Sequence, residues 1–342
     1  MSQCSTDSVI YFKSDVQSGE SLVLAWNTSS IYPRKPTEIQ SRSTVQSSPK
    51  MTTIQGLLAT KPSGRSQQMQ YIDTIEAYDK WADIYDTDGN FLQRLDTIGM
   101  RTLLPQFIDR VSKRFQPSPP QTESEAKTTR PSLVDLGCGT GRNTIQLLST
   151  LSTDNKATSF SVIGLDASRK MLDVARATTC EYVSKSATQT DVELGILDLL
   201  QPELSKTQLP SSLCESGAVG VISTLVLEHI PLERFFAAAA GIMRSGAYLL
   251  VTNMHAEMGM RSQAGFTDER GVKVRPTSYC HAIPDVLDAA VQAGFEVEEV
   301  VGAGSGGVVV RGVDEELGDV LGARAKKWVG VRVWFGVCFV KR

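Results

Sequence analysis

The sequence predicts an α/β fold, a doubly wound sheet of seven mainly parallel strands with helices on both faces. Two observations support this prediction. From residue 133 onward, apolar runs of strand length alternate with helical segments, which is the pattern of βαβ units. The first run also leads directly into a glycine-rich turn and then a helix, as such a unit requires.

Each strand and helix of this alternation can be placed from its apolar pattern. The predicted strands cover residues 133–136, 160–165, 192–197, 218–222, 247–252, 295–301 and 331–340. The predicted helices between them cover residues 142–151, 168–178, 231–243 and 284–293. Connections between parallel strands should be right-handed.

Two further helices precede the alternating part. Tyr78, Trp81 and Tyr85 recur at three- and four-residue steps in the first helix, and the second is predicted over residues 91–111. Such an aromatic stripe either packs in the core or covers a ligand, because an aromatic face attracts a positively charged group. We expect a helical lid over residues 74–111, within a domain that spans residues 69–342.

The first 68 residues have a different composition. They are rich in Ser, Thr, Gln and Pro and lack a periodic apolar pattern, apart from short islands at residues 11–12 and 22–26. A segment of this kind buries too little apolar surface to fold by itself. We therefore expect residues 1–68 to form a disordered or loosely attached tail.

Composition and charge narrow the range of functions. A formal net charge of −3 gives no general attraction to nucleic acid or to an anionic membrane. No apolar run reaches the roughly 20 residues that span a bilayer. The six scattered cysteines, without a C-x-x-C pair, fit reduced thiols. Together with an N-terminus that lacks an apolar signal core, these features favour a cytoplasmic protein, with a mitochondrial location as the alternative. They give no indication of an oligomeric state.

The most informative segment is Leu133-Val-Asp-Leu-Gly-Cys-Gly-Thr-Gly-Arg-Asn143. Its alternate glycines let a ligand lie against backbone N–H groups, and the helix that follows adds the positive end of its dipole. A dinucleotide site reads G-x-G-x-x-G, but Arg142 stands where the third glycine belongs, and Asp135 would repel a pyrophosphate. The other interpretation is a turn that only joins a strand to a helix. The candidate binding residues of this turn are Asp135, Gly137, Cys138 and Gly139.

Polar residues at the ends of the next two strands extend the candidate site. Asp166 follows the second strand, with Ala167 beside it, and an acid there can accept hydrogen bonds from both ribose hydroxyl groups of an adenosine ligand. Its alternative role is to cap the next helix, in competition with Ser168. Asp198 follows the third strand and either accepts a hydrogen bond from an adenine amino group or serves as a turn residue. Leu199 would offer its backbone N–H and an apolar wall.

The segment Ser223-Thr-Leu-Val-Leu-Glu-His-Ile-Pro231 follows the fourth strand. In an open α/β sheet the ligand crevice lies beyond the carboxyl ends of the strands, where the strand order reverses. We expect that reversal between the first and fourth strands. Ser223 and Leu225 should therefore lie beside the ligand.

These segments together resemble class I S-adenosylmethionine-dependent methyltransferases, especially the small-molecule enzymes of ubiquinone and menaquinone biosynthesis. The string D-x-G-x-G-x-G from Asp135 is similar to their first motif, and YDKWADIYD at 78–86 to their Y-D-x-x-A-x-x-Y-D signature. LEHIP at 227–231 is similar to their motif after the fourth strand. Shorter likenesses cover residues 252–255, 278–281 and 327–336. The tail and the glycine-rich residues 302–307 depart from the family pattern.

The resemblance implies a Rossmann-like methyltransferase fold with strand order 3-2-1-4-5-7-6 and an antiparallel last strand. It implies S-adenosylmethionine as cofactor, with contacts from Tyr78 and Tyr85, and methyl transfer to an O, N, S or C atom of a small-molecule acceptor. Two alternatives stay open. One is a methyltransferase-like protein that binds without catalysis. The other is a nicotinamide-dependent oxidoreductase, which Arg142 and Asp135 disfavour.

The chain has three histidines, His229, His255 and His281, all near predicted carboxyl ends of strands or in the loops that follow. Imidazole titrates near neutral pH, so His255 and His281 are the candidates for a general base or acceptor clamp. Each can equally be a polar loop residue, and His229 can be a packing residue at a helix start. We expect no metal site, because no cysteine or acid cluster frames these histidines.

Overall fold

The computed structural model describes residues 53, 69–115, 130–154, 156, 159–186, 190–202 and 209–342. The predicted tail over residues 1–68 lies outside this part of the chain, with the exception of Thr53. That residue forms an isolated antiparallel bridge with Tyr279.

Eleven strands occur in the described residues. They are β1 (Met69–Tyr71), β2 (Ser132–Leu136), β3 (Ser161–Asp166), β4 (Val192–Ile196), β5 (Ala218–Thr224), β6 (Met243–Met254), β7 (Phe266–Thr267), β8 (Lys273–Arg275), β9 (Phe295–Glu298), β10 (Val308–Gly312) and β11 (Arg332–Lys341).

The α-helices alternate with these strands. They are α1 (Thr74–Trp81), α2 (Phe91–Arg114), α3 (Arg142–Thr153), α4 (Arg169–Ser186), α5 (Ser211–Ser216), α6 (Leu232–Ile242), α7 (Ala256–Gly259), α8 (Ile283–Gln292), α9 (Glu315–Leu321) and α10 (Ala323–Lys326). Short 3₁₀ turns lie at Ala82–Ile84, Leu227–His229 and Ser305–Gly307.

The central sheet has the strand order β10-β11-β6-β5-β2-β3-β4, and β9 also pairs with β11. The five strands from β4 to β6 are parallel to their neighbours, whereas β11 is antiparallel to β6, β9 and β10. With β2 as the first predicted strand, this is the order 3-2-1-4-5-7-6. The predicted order and the antiparallel last strand are therefore confirmed, and β10 is an additional strand beside β9.

Strand β2 pairs in parallel with both β3 and β5, so the strand order reverses there as expected. Every residue of β2 and of β5 is buried. Continuous burial explains why these strands read as apolar runs rather than as alternating patterns, since helices cover both faces of a parallel sheet. The reversal opens a crevice at the carboxyl ends of these two strands.

The predicted lid over 74–111 divides into two parts. Helix α1 and the 3₁₀ turn after it lie at the crevice, but α2 is a core helix. Its side chains Leu95, Leu104 and Phe107 are buried in the same cluster as residues of β5, β6 and β11. The physical reason for the difference is the wide apolar surface of α2, which a lid exposed to solvent would not carry.

A buried polar group also fixes α2 in the core. The carboxylate of Asp96 is fully buried and accepts four hydrogen bonds of 2.5–3.0 Å. The donors are Thr252 of β6, Trp334 of β11, and Arg142 and Asn143 of α3. A buried charge is tolerated only with such partners, so this network specifies where α2 docks.

A second, three-stranded sheet of order β1-β8-β7 was not predicted from the sequence. Its strands are two or three residues long, too short to leave a periodic signal. Phe266 and Val274 of this sheet pack against Trp81 at the end of α1. The small sheet thus packs against helix α1, which covers the crevice. None of the helices in the described residues combines the length and apolar character needed to cross a membrane.

Candidate active site

The glycine turn connects β2 to α3 in a left-handed backbone conformation. Gly137, Gly139 and Gly141 have φ angles of 77°, 54° and 90°, values that side chains with a Cβ atom rarely adopt. A Cβ atom at Gly137 would lie 2.2 Å from Val226, whereas a Cβ atom at Gly139 would meet no atom within 4 Å. Gly139 therefore presents its backbone to open space at the carboxyl ends of the strands.

Asp166 lies at the end of β3 beside this turn. Its Oδ2 accepts a hydrogen bond from the backbone N–H of Gly139 (2.9 Å) and its Oδ1 from that of Ser168 (2.8 Å). Ser168 rather than Asp166 takes the capping role for α4, because its Oγ accepts from the N–H of Met171 (3.1 Å). Burial raises the pKa of Asp166, and the backbone N–H groups oppose that rise.

These groups line a cavity, here called the first cavity, of about 740 Å³ including space open to solvent. Most of the predicted cofactor residues line it: Tyr78, Tyr85, Gly137, Gly139, Asp166, Ala167, Asp198, Leu199 and Leu225. Sequence reasoning missed further wall residues, among them Thr74, Ile75, Leu197 and Val226.

Three predicted cofactor residues lie behind the cavity wall instead. Ser223 donates to a backbone carbonyl of β2 (2.8 Å), and the thiol of Cys138 faces the backbone of Gly164. Asp135 is fully buried, with Oδ2 accepting from Thr144 (2.6 Å) and Oδ1 without a partner among the described residues. Burial raises the pKa of Asp135 to about 7. These three side chains pack beneath the glycine turn and do not line the cavity.

The YDKWADIYD segment attaches the cover to this cavity through two aspartates. Asp79 accepts from the hydroxyl of Ser168 (2.6 Å) and from the N–H of Lys170 (3.2 Å), at the start of α4. Asp86 accepts from the hydroxyl of Thr140 (2.9 Å), within the glycine turn. Each aspartate follows a tyrosine that lines the cavity, so each Tyr-Asp pair supplies one wall residue and one anchor.

His229 holds the tyrosine of the first pair. Its Nδ1 lies 3.0 Å from the carbonyl of Thr277, and its Nε2 lies 2.8 Å from the hydroxyl of Tyr78. A carbonyl oxygen only accepts, so Nδ1 carries the proton and Nε2 accepts from Tyr78. Burial lowers the pKa of His229 to about 4, which keeps the ring neutral at physiological pH.

Leu225 occupies a strained position at the end of β5. Its φ of 58° makes it the one non-glycine residue with a positive φ in the described part of the chain. Its N–H donates to the carbonyl of Thr252 (2.9 Å), which holds the strained conformation. Such strain costs about 1–3 kcal/mol and concentrates at functional sites. It turns the Leu225 side chain into the crevice rather than along the strand.

A second cavity of about 750 Å³, part of it open to solvent, adjoins the first and shares Tyr78, Tyr85 and Leu225 with it. Its other walls combine aromatic and thioether side chains with polar and charged groups. They include Trp81, Phe91, Met254, Met258, Trp328, Asp88, Glu228, Arg324 and Lys327. The two cavities therefore adjoin at Tyr78, Tyr85 and Leu225.

Glu228 is the buried ionisable group of the second cavity. Its side chain lies in the LEHIP segment, is 4% exposed, and has an Oε2 atom without a partner among the described residues. Burial raises the pKa of this carboxyl group to about 8. The sequence did contain a signal for it, an acid within an apolar segment at the carboxyl end of the fourth strand.

The structure does not bring His255 or His281 to the wall of either cavity. Nδ1 of His255 accepts from the N–H of Glu257 (3.0 Å) and so caps α7. Nε2 of His281 lies 3.0–3.1 Å from the carbonyls of Leu227 and Ile230 and donates to them. Burial lowers the pKa of both rings. Both histidines thus have structural partners and lie outside the two cavities, which does not support the predicted catalytic role.

The described residues contain no cluster of three or more His, Cys, Asp or Glu side chains arranged to hold a metal ion. The three histidines in particular are engaged separately, by Thr277, by Glu257 and by the carbonyls around Ile230. Each imidazole ring thus has its own structural contact, and no two of these rings share a partner.

Comparison with known proteins agrees with this geometry. A family model described as a methyltransferase domain matches residues 133–246. An uncharacterized methyltransferase of Emericella nidulans is 50% identical over 273 residues, which cover 79% of this chain and 91% of that protein.

Solved structures also resemble the chain. One is an S-adenosylmethionine-dependent methyltransferase from Mesorhizobium loti, with 18% identity over 61% of this chain and 90% of that one and a TM-score of 0.40. Another is magnesium protoporphyrin IX methyltransferase from Synechocystis with bound S-adenosylmethionine, with 16% identity over 78% of this chain and 91% of that one and a TM-score of 0.43.

The strand order, the glycine turn and Asp166 at the end of β3 define the class as a class I methyltransferase fold. The chain belongs to the family of S-adenosylmethionine-dependent methyltransferases, together with the Emericella nidulans protein. The predicted fold class, enzyme class and cofactor are thereby confirmed.

Proposed function

We propose that the first cavity binds S-adenosylmethionine and that the second cavity binds a small-molecule acceptor, to which the methyl group is transferred. The observation that carries this proposal is the contact between the cavities, which share Tyr78, Tyr85 and Leu225. When bound, S-adenosylmethionine supplies an electrophilic methyl group on a sulfonium centre. The rest of the reaction depends on what the residues around the two cavities do.

The residues of the first cavity fit this cofactor. Gly139 leaves open the space that a Cβ atom would fill, next to the carboxylate of Asp166. Each oxygen of that carboxylate accepts one backbone N–H and keeps acceptor capacity for a ribose hydroxyl group. Asp198 and Leu199 at the end of β4 line the part of the cavity that is left for an adenine ring.

The charges of the first cavity favour a cation over a pyrophosphate. Asp166 lines the cavity and Asp135 is buried beneath the turn; burial, and after it the charge of Asp166, raises the pKa of Asp135 and of the Cys138 thiol, which indicates a negative potential. Arg142, at the turn, is paired with Asp96 (2.8 Å). The rings of Tyr78 and Tyr85 add aromatic faces, which attract a positive group. A dinucleotide would bring negative charge into the same place.

The second cavity supports an acceptor of small size. Its walls offer both apolar surfaces and polar groups, which together can hold and orient a small molecule. Tyr78 of helix α1 lines both cavities and so covers their junction. Holding two reactants in line in this way provides a large part of the rate enhancement in transfer reactions.

Calorimetric titration of the full chain with S-adenosylmethionine and with NAD tests the cofactor assignment. Saturable binding of S-adenosylmethionine without binding of NAD supports it, and the reverse result overturns it. Incubation with labelled S-adenosylmethionine and a cell extract then tests the acceptor assignment. Label in the small-molecule fraction supports the proposal, whereas label only in the protein or nucleic-acid fraction contradicts it.

A further inference from the structure

Glu228 has the features of a group that meets a ligand. It lines the second cavity close to the shared residues of the two cavities, and it is almost fully buried. Its Oε1 lies 3.6 Å from Nε2 of His229, but its Oε2 has no hydrogen-bond partner among the described residues. An unpaired buried carboxyl oxygen is costly, so its retention beside a cavity points to a partner supplied by the ligand.

The charges around Glu228 do not neutralise it. His229 is neutral, because burial lowers its pKa to about 4, and no lysine or arginine of the described residues forms an ion pair with Glu228. The titratable groups that face it come from several elements of the fold. They are Tyr78 of α1, Tyr85 and Asp88 of the next segment, Asp96 of α2, His229 of its own turn, and Arg324 and Lys327 at α10.

The walls of the second cavity indicate the shape of the ligand. Trp81, Phe91 and Trp328 line it together with Met254 and Met258. The rings of Phe91 and Trp328 are stacked, with centroids 6.3 Å apart. These flat aromatic and polarizable thioether surfaces form the apolar part of the wall and suit an aromatic ring, beside polar groups that include Asn90, Ser262 and Gln263.

We propose that Glu228 is the general base of the reaction and that it takes the proton from a phenolic hydroxyl group of the acceptor. This inference rests on the proposed function and names the acceptor class for the same site. A phenol combines the flat apolar body that the walls fit with one weakly acidic hydroxyl group for the unpaired Oε2.

The step balances within the two cavities. The O–H bond of the acceptor breaks, its proton passes to Oε2 of Glu228, and the electron pair stays on the phenolic oxygen. That oxygen forms the new bond to the methyl carbon, while the electron pair of the old carbon–sulfur bond stays on sulfur. The positive charge of the sulfonium and the negative charge of the carboxylate thereby disappear together, and the proton later leaves Glu228 to solvent.

The pKa of Glu228 suits the role of a general base for a phenol. Its pKa of about 8 lies near working pH and below the value of about 10 for a phenolic group. A base of this strength is present as carboxylate in a useful fraction and is strong enough to accept a phenolic proton during transfer. An aliphatic alcohol is too weak an acid for the same step.

The test compares the wild-type protein with Glu228→Gln and with the control Glu233→Gln, an exposed acid at the start of α6. The probe is phenol, added to protein saturated with S-adenosylhomocysteine, and its affinity is measured by calorimetry from about pH 6 to about pH 9. Benzene, which lacks the hydroxyl group, is the matched ligand control.

The expected result for the wild type and Glu233→Gln is that phenol affinity rises about tenfold with pH, since a carboxylate accepts a stronger hydrogen bond than a neutral carboxyl group. Phenol affinity in Glu228→Gln and benzene affinity in all three proteins should not change with pH. Absence of phenol binding, or the same pH dependence in Glu228→Gln, overturns the inference.

Methyl transfer gives an independent readout with a panel of phenols, amines and thiols and labelled S-adenosylmethionine. Glu228→Gln should reduce transfer to phenols by about 10²–10⁴-fold, while its affinity for S-adenosylhomocysteine stays within about twofold of the wild type. Transfer only to amines or thiols, undiminished in Glu228→Gln, overturns the inference but leaves the proposed function intact. Failure of the wild type to bind S-adenosylmethionine contradicts the proposed function itself.

Discussion

The hydroxyl group of Tyr78 donates a hydrogen bond of 2.8 Å to Nε2 of His229. This bond joins helix α1, which covers both cavities, to the 3₁₀ turn after β5. The carbonyl of Thr277 fixes the histidine ring from its other side. His229 is buried and Tyr78 is partly buried, so this neutral contact adds to the anchors of Asp79 and Asp86, and its strength can be measured.

Tyr78→Phe removes this bond and leaves Nε2 of His229 without a donor. We expect a loss of about 1–3 kcal/mol of unfolding free energy, because an unsatisfied buried acceptor costs more than the net value of the bond. A double-mutant cycle with His229→Leu, measured by urea unfolding, should give a coupling energy of about 0.5–1.5 kcal/mol. Additive effects of the two substitutions would show that the contact contributes nothing to stability.

Gly139→Ala separates the binding role of the glycine turn from its folding role. The added methyl group meets no protein atom, so folding should lose only about 1–2 kcal/mol for the left-handed backbone. The methyl group nevertheless fills cofactor space, and affinity for S-adenosylmethionine should fall by tenfold or more, about 1.4 kcal/mol. Gly302→Ala is the matched control, with a φ of 88° and open surroundings away from the cavities. It should lose similar stability and no affinity.

Asp166→Ala removes the acceptor that we assign to the ribose hydroxyl groups. A hydrogen bond to a charged group is worth about 1.5–3 kcal/mol, so the dissociation constant for S-adenosylmethionine should increase about ten- to a hundredfold. Calorimetry on protein with an unchanged circular dichroism spectrum checks this. Asp191→Ala, an exposed acid before β4 that pairs with Arg130, should leave the constant unchanged. Equal affinity in Asp166→Ala would leave that carboxylate with only its hydrogen bonds to the turn.

Glu228 should make the protein less stable as pH rises. Its pKa is about 8 in the folded state and about 4.5 when exposed, so folding favours the protonated form. The resulting stabilisation is complete below about pH 4.5 and is lost as pH increases to about 8, by up to roughly 5 kcal/mol. Glu228→Gln lacks this loss, and at about pH 9 it should unfold at a higher urea concentration than the wild type. Parallel stability curves for the two proteins would contradict the raised pKa.

Arg142→Gly gives the turn the G-x-G-x-x-G spacing of a dinucleotide site. We expect no NAD binding, because both acids near the turn remain in the variant, Asp166 at the cavity wall and Asp135 beneath the turn. The variant should lose about 2–3 kcal/mol of stability, since Asp96 is left buried without its cation. Calorimetric titration with NAD and urea unfolding measure the two effects. NAD binding at micromolar concentration would show that spacing alone determines the ligand class.

The sequence was sufficient for the sheet and for the cofactor cavity, because both depend on local patterns. Strands β2 to β6 appear as short apolar runs, and the glycine turn and Asp166 stand directly at strand ends, where ligands of α/β sheets bind. The boundaries were less accurate. The sixth strand ends at Glu298 rather than at residue 301, and β6 begins at Met243, directly after α6. Hydrogen bonds between strands determine where a strand begins and ends, and the apolar periodicity of the sequence contains no information about those bonds.

The acceptor side could not be predicted in the same way. His255 and His281 have the right chemistry and the right approximate place, but one ring nitrogen of each is engaged by backbone groups, of α7 for His255 and of Leu227 and Ile230 for His281. Glu228 stands as an acid within an apolar segment of the sequence, but its burial and its unpaired Oε2 become visible only in the packed structure. Asp135 likewise lies below the turn rather than in the cavity, since Thr144 holds it there.

The contact between Asp96 and Trp334 bears on the order in which the chain can fold. Their side chains meet at 2.9 Å although 238 positions separate them in the sequence, and Gly99 leaves the space for the indole ring. A nascent chain leaving the ribosome therefore exposes the apolar face of α2 until β11 emerges and inserts beside β6. Contacts between such distant segments slow folding and prolong the life of aggregation-prone intermediates. During synthesis this methyltransferase should depend on chaperones until its last described strand is in place.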